Sequence, residues 1–280
     1  MPLLTRRNFL LGSVGSLATV GGAYAYGRWI ERTWLDVVHL DMPLRRLPDG
    51  FAGFRIVQIS DLHFGAKLPA DYLESVLDAV SGLAADAIVI TGDIASSLDN
   101  GEAEWITQSL SRLHATHGVF AVLGNHDWWE NGLLVTRSLT RANINVLSNR
   151  NIPLHRDNGT LYIAGVDDVW CDKHDLTAAL RGIPSNAAIV ALVHEPDYAD
   201  TVAHDERVIL QLSGHSHGGQ VRVPFTGALY FPPMAEKYPL GLYTINGLTL
   251  YTNRGIGVVS RPVRFACRPE VTVFTLRPEI

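Results

Sequence analysis

The chain has 280 residues, of which 47% are hydrophobic and 18% charged, with 25 glycines and 14 prolines. That composition excludes a disordered or fibrous protein and is sufficient for one large buried core. A net charge of −5 gives no extended nucleic-acid footprint, so any grip on phosphate must be local.

At the N-terminus, Arg6-Arg7 precede Phe9-Leu10-Leu11, and no charge follows between Asn8 and Gly27. This is the three-part layout of an export signal. It resembles a twin-arginine (Tat) leader, with Ala23-Tyr24-Ala25 as an A-x-A cleavage site. The uncharged run is also about long enough to span a bilayer, with Trp29 and Trp34 placed for its interface. Residues 1–27 are therefore expected to be a Tat-type signal or a membrane anchor, and residues 50–280 the working domain. The implied partners are the Tat export machinery and a membrane surface or lipid. The implied location is the periplasm or the extracytoplasmic membrane face.

From Phe54 onward, short β-branched runs alternate with amphipathic stretches. Strands are predicted at 55–60, 87–91, 119–123, 188–193 and 208–213, each almost continuously apolar, as in strands buried on both faces. Helical spacing occupies 70–83, 102–113 and 131–142. Further strands are expected at 160–166, 240–245, 248–252 and 271–276. The alternation argues an α/β layered fold, and no repeat or long linker divides it. Cys171 and Cys267 are the only cysteines, too few for a disulfide framework. They read as unpaired buried thiols, with a single bridge as the alternative.

Each of the five main strands runs directly into a cluster of polar residues. These are Asp61-Leu62-His63, Gly92-Asp93, Gly124-Asn125-His126-Asp127, His194-Glu195-Pro196-Asp197 and Gly214-His215-Ser216-His217. Loops beyond the carboxyl ends of strands are where layered α/β folds bind ligands. The candidate metal donors are Asp61, His63, Asp93, Asn125, His194, His215 and His217. Two carboxylates, four imidazoles and an amide suit manganese, iron, zinc or cobalt better than calcium or magnesium. With one carboxylate shared, the set is large enough for two ions. Gly92, Gly124 and Gly214 are expected to allow tight turns there. His39, His114, His117, His155, His174 and His204 lack such company and read as structural or solvated.

The ordered blocks D-x-H, G-D, G-N-H-D, a lone His and G-H-x-H make the chain resemble the calcineurin-like metallophosphoesterases. The resemblance covers most of residues 54–220. It implies a metallophosphoesterase-like fold, two mixed β-sheets packed as a sandwich and flanked by helices. It also implies that Asp61, His63 and His217 hold one metal, that Asn125, His194 and His215 hold the other, and that Asp93 bridges them. Within the superfamily the chain looks like the bacterial membrane-associated phosphodiesterases, so the implied substrate is a phosphodiester.

Two cations would acidify a shared water for in-line attack on phosphorus, leaving an alkoxide that needs a proton. His126, beside Asn125 but outside the donor set, is the candidate general acid, with Asp127 expected to orient its ring. The resemblance assigns His126 the same role. Arg254 and Arg264 are candidate phosphate clamps, while Asp167 and Asp168 read as a loop. A second reading is an envelope lipid pyrophosphatase, akin to the relatives that cleave UDP-diacylglucosamine. It would use Phe225, Leu229, Tyr230, Phe231 and Met234 for a lipid tail, although packing of these residues on the core is the expectation. A non-catalytic scaffold is a third reading, opposed by the complete donor set.

Overall fold

The computed structural model describes residues 19–65 and 67–279. Most of the leader predicted for residues 1–27 lies outside the described residues. Residues 19–29 form a helix, α1, and no helix among the described residues is long and apolar enough to cross a membrane.

In chain order the remaining elements are β1 (Asp36–Leu44), β2 (Arg55–Ile59), α2 (Ala70–Ser81), β3 (Ala87–Thr91), α3 (Glu102–Leu110), β4 (Val119–Val122), α4 (Asn125–Glu130), α5 (Gly132–Arg141), β5 (Asn145–Val146), β6 (Arg150–Arg156), β7 (Gly159–Gly165), α6 (Leu176–Ala179), β8 (Ala188–Leu192), α7 (Ala199–Val202), β9 (Val208–Ser213), β10 (Arg222–Val223), β11 (Gly227–Ala228), β12 (Gly241–Ile245), β13 (Leu248–Thr252) and β14 (Glu270–Pro278). They build two six-stranded mixed sheets, ordered β1-β14-β2-β3-β4-β5 and β12-β13-β9-β8-β7-β6. Strands β2 to β5 are mutually parallel, as are β7, β8, β9 and β13. The two sheets pack face to face with helices outside, as the α/β sandwich implied by the resemblance requires.

Side-chain alternation explains why the central strands read as unbroken apolar runs. In β2 and β3, Ile56, Ala87 and Val89 point into the core between the sheets. Their neighbours Val57, Ile59, Ile88 and Ile90 point outward under α2, α3 and α5. Both faces are dry, so both must be apolar. Toward the carboxyl ends of the strands the inter-sheet core turns polar. There Gln58 in β2 donates from Nε2 to Thr91 Oγ1 at 2.9 Å and to the Ser213 carbonyl at 3.0 Å, tying the sheets together beneath the loops.

The strands missed in the sequence are short or lie at edges. β1 and β6 are edge strands whose outer residues face water, which breaks up the apolar signal. β1 also begins ahead of residue 50, so the sheet takes in residues that the expected domain boundary left out. The helix expected at 102–113 stops at Leu110, and the His117 ring packs at a tilt against Phe54, with centroids 5.1 Å apart. Both cysteines are free, Cys267 buried and Cys171 half-buried.

Phe274 of β14 is fully buried and meets Tyr251 of the opposite sheet edge-on, with centroids 5.1 Å apart. Phe274→Ala should cost about 3–5 kcal/mol, read as a lowered urea midpoint with an unchanged denaturant slope.

Candidate metal centre

The five loops that follow β2, β3, β4, β8 and β9 meet at one edge of the sandwich. Backbone pairing continues past the strands and fixes their heights. The Asp61 and His63 amides donate to the carbonyls of Gly92 and Asp93, both at 3.0 Å, and the Gly214 amide donates to the His194 carbonyl at 3.0 Å. The structure brings together Asp61, His63, Asp93 and His217 in one buried cluster, and Asp93, His194 and His215 in another. Within each, the ligand atoms lie within 4.8 Å of one another.

Asp93 is common to both clusters. Its Oδ2 stands 3.3 Å from His194 Nε2 and 3.7 Å from His63 Nε2, while Oδ1 accepts the His126 amide at 2.9 Å. Asp61 accepts the His215 amide on both oxygens, at 3.1 and 3.2 Å, and approaches His217 Nε2 to 3.4 Å. The second nitrogen of the histidines settles which one faces inward. A carbonyl can only accept, so His194 Nδ1 carries the proton it gives to Thr91 at 2.7 Å and Nε2 points into the site. By the same logic His215 donates from Nε2 to the Pro233 carbonyl at 3.0 Å and turns Nδ1 inward. Ser96 Oγ holds His63 Nδ1 at 2.7 Å. Such partners fix the orientation of ligating imidazoles.

Three observations fit this donor set to cations. His63 Nε2 and His217 Nε2 face each other at 3.0 Å, and His215 Nδ1 faces His194 Nε2 at 3.2 Å. The Asn125 carboxamide oxygen is buried without a hydrogen-bond partner, which is costly unless something positive meets it. Finally, Asp61, His63, Asp93, His215 and His217 all adopt positive φ, between 49° and 68°. Non-glycine residues are strained there, and such strain persists at functional sites where the surroundings enforce it.

Electrostatics agree. Burial pushes Asp61 up to about 7, an effect that His194 opposes and Asp93 adds to. Burial also opposes ionisation of Asp93, but the charge and hydrogen bond of His194 outweigh it and hold Asp93 well below the usual carboxylate range. His194 is raised well above an ordinary histidine because Asp93 overcomes its desolvation. Burial drives His63 to about 3 and His215 to about 4, leaving neutral rings with lone pairs to share. The second proton that Asp93 favours on His194, at Nε2, thus occupies the place a divalent cation would take, and metal binding and proton release are coupled.

The glycines act by absence of a side chain more than by turning the chain. Gly92 does have a left-handed φ of +91°. At Gly124, φ is −115°, but a Cβ would stand 2.7 Å from His194 Nε2 and closer still to Asp93 Oδ1. At Gly214 a Cβ would fall on Ser60 Oγ and against Asp61.

Other expected site residues land elsewhere. Asp127 does not reach the His126 ring: its Oδ1 accepts the Ala95 amide at 2.8 Å and its Oδ2 the Gly124 amide at 2.9 Å. It caps α4 and ties the third loop to the second. Arg264 is wholly buried and gives its guanidinium to the carbonyls of Arg254, Gly255, Gly257 and Cys267. Its Nη2 also lies 3.4 Å from His217 Nδ1. Arg254 pairs with Glu270 and, at 3.0 Å, with Asp36. Each is a brace, since every guanidinium is already held by the protein. Phe225, Leu229 and Tyr230 do not pack on the core; each is more than two-thirds exposed. His126 does line the open cleft above the site, together with Trp129, Trp170, Ser260 and Arg261. The tryptophans and Arg261 were missed in the sequence. Trp129 could have been flagged by its place in the G-N-H-D-W-W run, whereas Arg261 carries no local signal.

Residues 54–219 match the family described as calcineurin-like phosphoesterase. The chain is 36% identical to the uncharacterized metallophosphoesterase YkuE of Bacillus subtilis, covering 99% of both chains. It is 29% identical to the phosphodiesterase YaeI of Escherichia coli, over 98% of this chain and all of that one. It is 30% identical to the UDP-2,3-diacylglucosamine pyrophosphatase LpxG of Chlamydia trachomatis, over 85% of this chain and 91% of that one.

The floor of the site leaves no room at Gly124. Gly124→Ala should keep the far-ultraviolet circular dichroism of the parent yet lose bound metal, measured by elemental analysis after gel filtration. A full metal complement in that variant would show that Asp93 and His194 do not need this close approach.

Proposed function

Because this chain belongs to the calcineurin-like phosphoesterase family and hydrolyses phosphoester bonds at a dinuclear divalent-metal centre, we propose that its reaction is phosphodiester hydrolysis outside the cytoplasm. The observation that carries the reading is Asp93 Oδ2 standing between two histidine clusters, with His126 at the mouth of the same cleft.

Asp61, His63 and His217 are assigned to one metal, Asn125, His194 and His215 to the other, and Asp93 to both. Manganese, iron or zinc fits the nitrogen-rich set. When bound there, two such cations would supply Lewis acidity for phosphoryl oxygens and for water. The chain's own residues do the rest. His126 is held over the site by the hydrogen bond from its backbone N–H to Asp93 Oδ1 and by edge contacts with His63 and Trp129, with centroids 4.9 and 4.8 Å apart. From there its ring can deliver a proton to the departing alkoxide oxygen. Trp129 and Trp170 wall one side of the cleft beside His126.

Export is part of the proposal. Arg6-Arg7 and the A-x-A sequence at residues 23–25 support a twin-arginine leader in residues 1–27, ahead of a catalytic domain over 50–280. The similarity to LpxG and the exposed apolar residues beside the site support a second reading, cleavage of a lipid-linked pyrophosphate.

The test is hydrolysis of bis-p-nitrophenyl phosphate by the full chain, beside the matching monoester. Activity should favour the diester, vanish with chelator and return with Mn²⁺; an inactive protein with two metals bound would overturn the reading. His126→Ala should retain both metals. On an alkyl ester, whose leaving group is poor, it should lose about 100-fold or more in kcat, and it should lose far less on a nitrophenyl ester. Equal loss on both would remove His126 from the proton-donating role.

A further inference from the structure

The cleft over the metal centre has two unlike halves that meet along His126, Val259, Ser260 and Arg261. The larger half, about 470 Å³, has Asp93, Asn125, His215 and His217 at its floor. Its walls are mostly apolar, with Gln220, Ser260 and Arg261 as the polar exceptions. Trp129 and Trp170 meet edge-on with centroids 5.2 Å apart, and they reach from His126 at one end to His215 at the other, where the Trp170 contact is 5.4 Å. Leu229 and Tyr230, both 68% exposed, line the same cleft. Large apolar side chains left in water around a polar floor mark a place where something apolar is received.

The smaller half, about 280 Å³, lies on the other side of His126 and is lined by Lys67 and Ser96; Arg261 stands on the border and lines both halves. Neither the Lys67 ammonium nor the Arg261 guanidinium has an ion pair or a side-chain hydrogen bond among the described residues. Most other arginines near the site are spent on carboxylates or carbonyls, Arg254 and Arg264 among them. Two unpartnered cations in one recess, on a chain of net charge −5, form a local receptor for negative charge.

We infer that the cleft sorts the two arms of its substrate by polarity. A hydrocarbon arm lies along the Trp129, Trp170, Leu229 and Tyr230 walls, and an arm carrying a second anionic group enters the recess of Lys67 and Arg261. The substrate class is therefore an amphiphilic phosphodiester or pyrophosphate, with the scissile phosphorus over Asp93. This rests on the phosphodiesterase reading and narrows it.

The test measures binding, so it does not depend on turnover. Calorimetric Kd values would be taken on the Mn²⁺-loaded full chain for dimethyl phosphate, methyl octyl phosphate and octyl 2-carboxyethyl phosphate. The octyl arm should tighten binding by about tenfold or more, which burial of only two or three methylenes supplies. The carboxylate should tighten it severalfold again. Trp129→Ala, at a half-exposed position, should lose the octyl gain and keep the carboxylate gain; Lys67→Ala/Arg261→Ala should do the reverse. A general folding defect would weaken all three ligands alike and would not produce that crossed pattern. Equal Kd for dimethyl and methyl octyl phosphate would overturn the apolar arm. A carboxylate gain that survives loss of both cations would overturn the anionic arm. Failure of the phosphodiesterase reading itself would show separately, as absent turnover of bis-p-nitrophenyl phosphate beside an intact Kd pattern.

Discussion

One buried carboxylate must stand between imidazoles, and the rest of this structure is arranged around that demand. A buried carboxylate is costly unless paired. Asp93 is paired on every side: the His126 amide holds Oδ1, while His194 and His63 approach Oδ2. That pairing requires two β-sheets to deliver their loops to the same point. Asp93 and His63 come from the first sheet and His194 from the second. The register between the sheets therefore bears directly on the chemistry. Gln58, reaching from β2 to the Ser213 carbonyl at the end of β9, is one of the polar ties that sets it.

The same demand explains the backbone. Regular strands alternate their side chains to opposite faces, which would send half of the donors away from the site. A left-handed residue at the strand end re-aims the chain, and Asp61, His63, Asp93, His215 and His217 all take that conformation. Each such residue costs on the order of 1 kcal/mol. The continued backbone ladder from Asp61 to Gly92 and from His63 to Asp93 holds them against relaxation. Stability is thus spent at the site and recovered in the apolar layers, where strands such as β3 and β8 are buried along their whole length.

How much of this could be read in the sequence follows from the range of each interaction. The central strands and the donors were legible because burial on both faces forces apolar runs and because ligands must follow strand ends. The seven donors stand in five short blocks, and each block sits where its strand stops. Asp127 was misread because its neighbour in sequence, His126, is not its neighbour in space. Its partners are the amides of Gly124 and Ala95, and the second of these belongs to another loop. Arg254 and Arg264 were misread for the complementary reason. An arginine in a glycine-rich loop looks free to bind phosphate, and only the folded loop shows the carbonyls that occupy it. Lys67 and Arg261 lie almost 200 residues apart, and nothing local marks either.

The braces also explain why the residues that end the uncharged N-terminal run, and those just after it, belong to the site's framework. The Gly27 carbonyl accepts the Arg264 amide at 3.1 Å, and Glu31 Oε1 accepts the Cys267 amide at 2.6 Å. Arg32 donates to the Lys67 carbonyl at 2.9 Å, and Tyr26 packs edge-on to Phe265. Residues 26–32 therefore clamp the loop whose Arg264 supports the Gly255 and Gly257 carbonyls beside Asp61. They also fix the backbone of Lys67 in the cationic recess. A Cβ on Gly27 would stand 2.9 Å from Val263 and closer to the Arg264 carbonyl, so the contact is already as close as a backbone allows. A chain cut after Ala25 keeps every one of these contacts. A chain cut past Arg32 loses them all, leaving Arg264 beside His217 held only by its own loop's carbonyls.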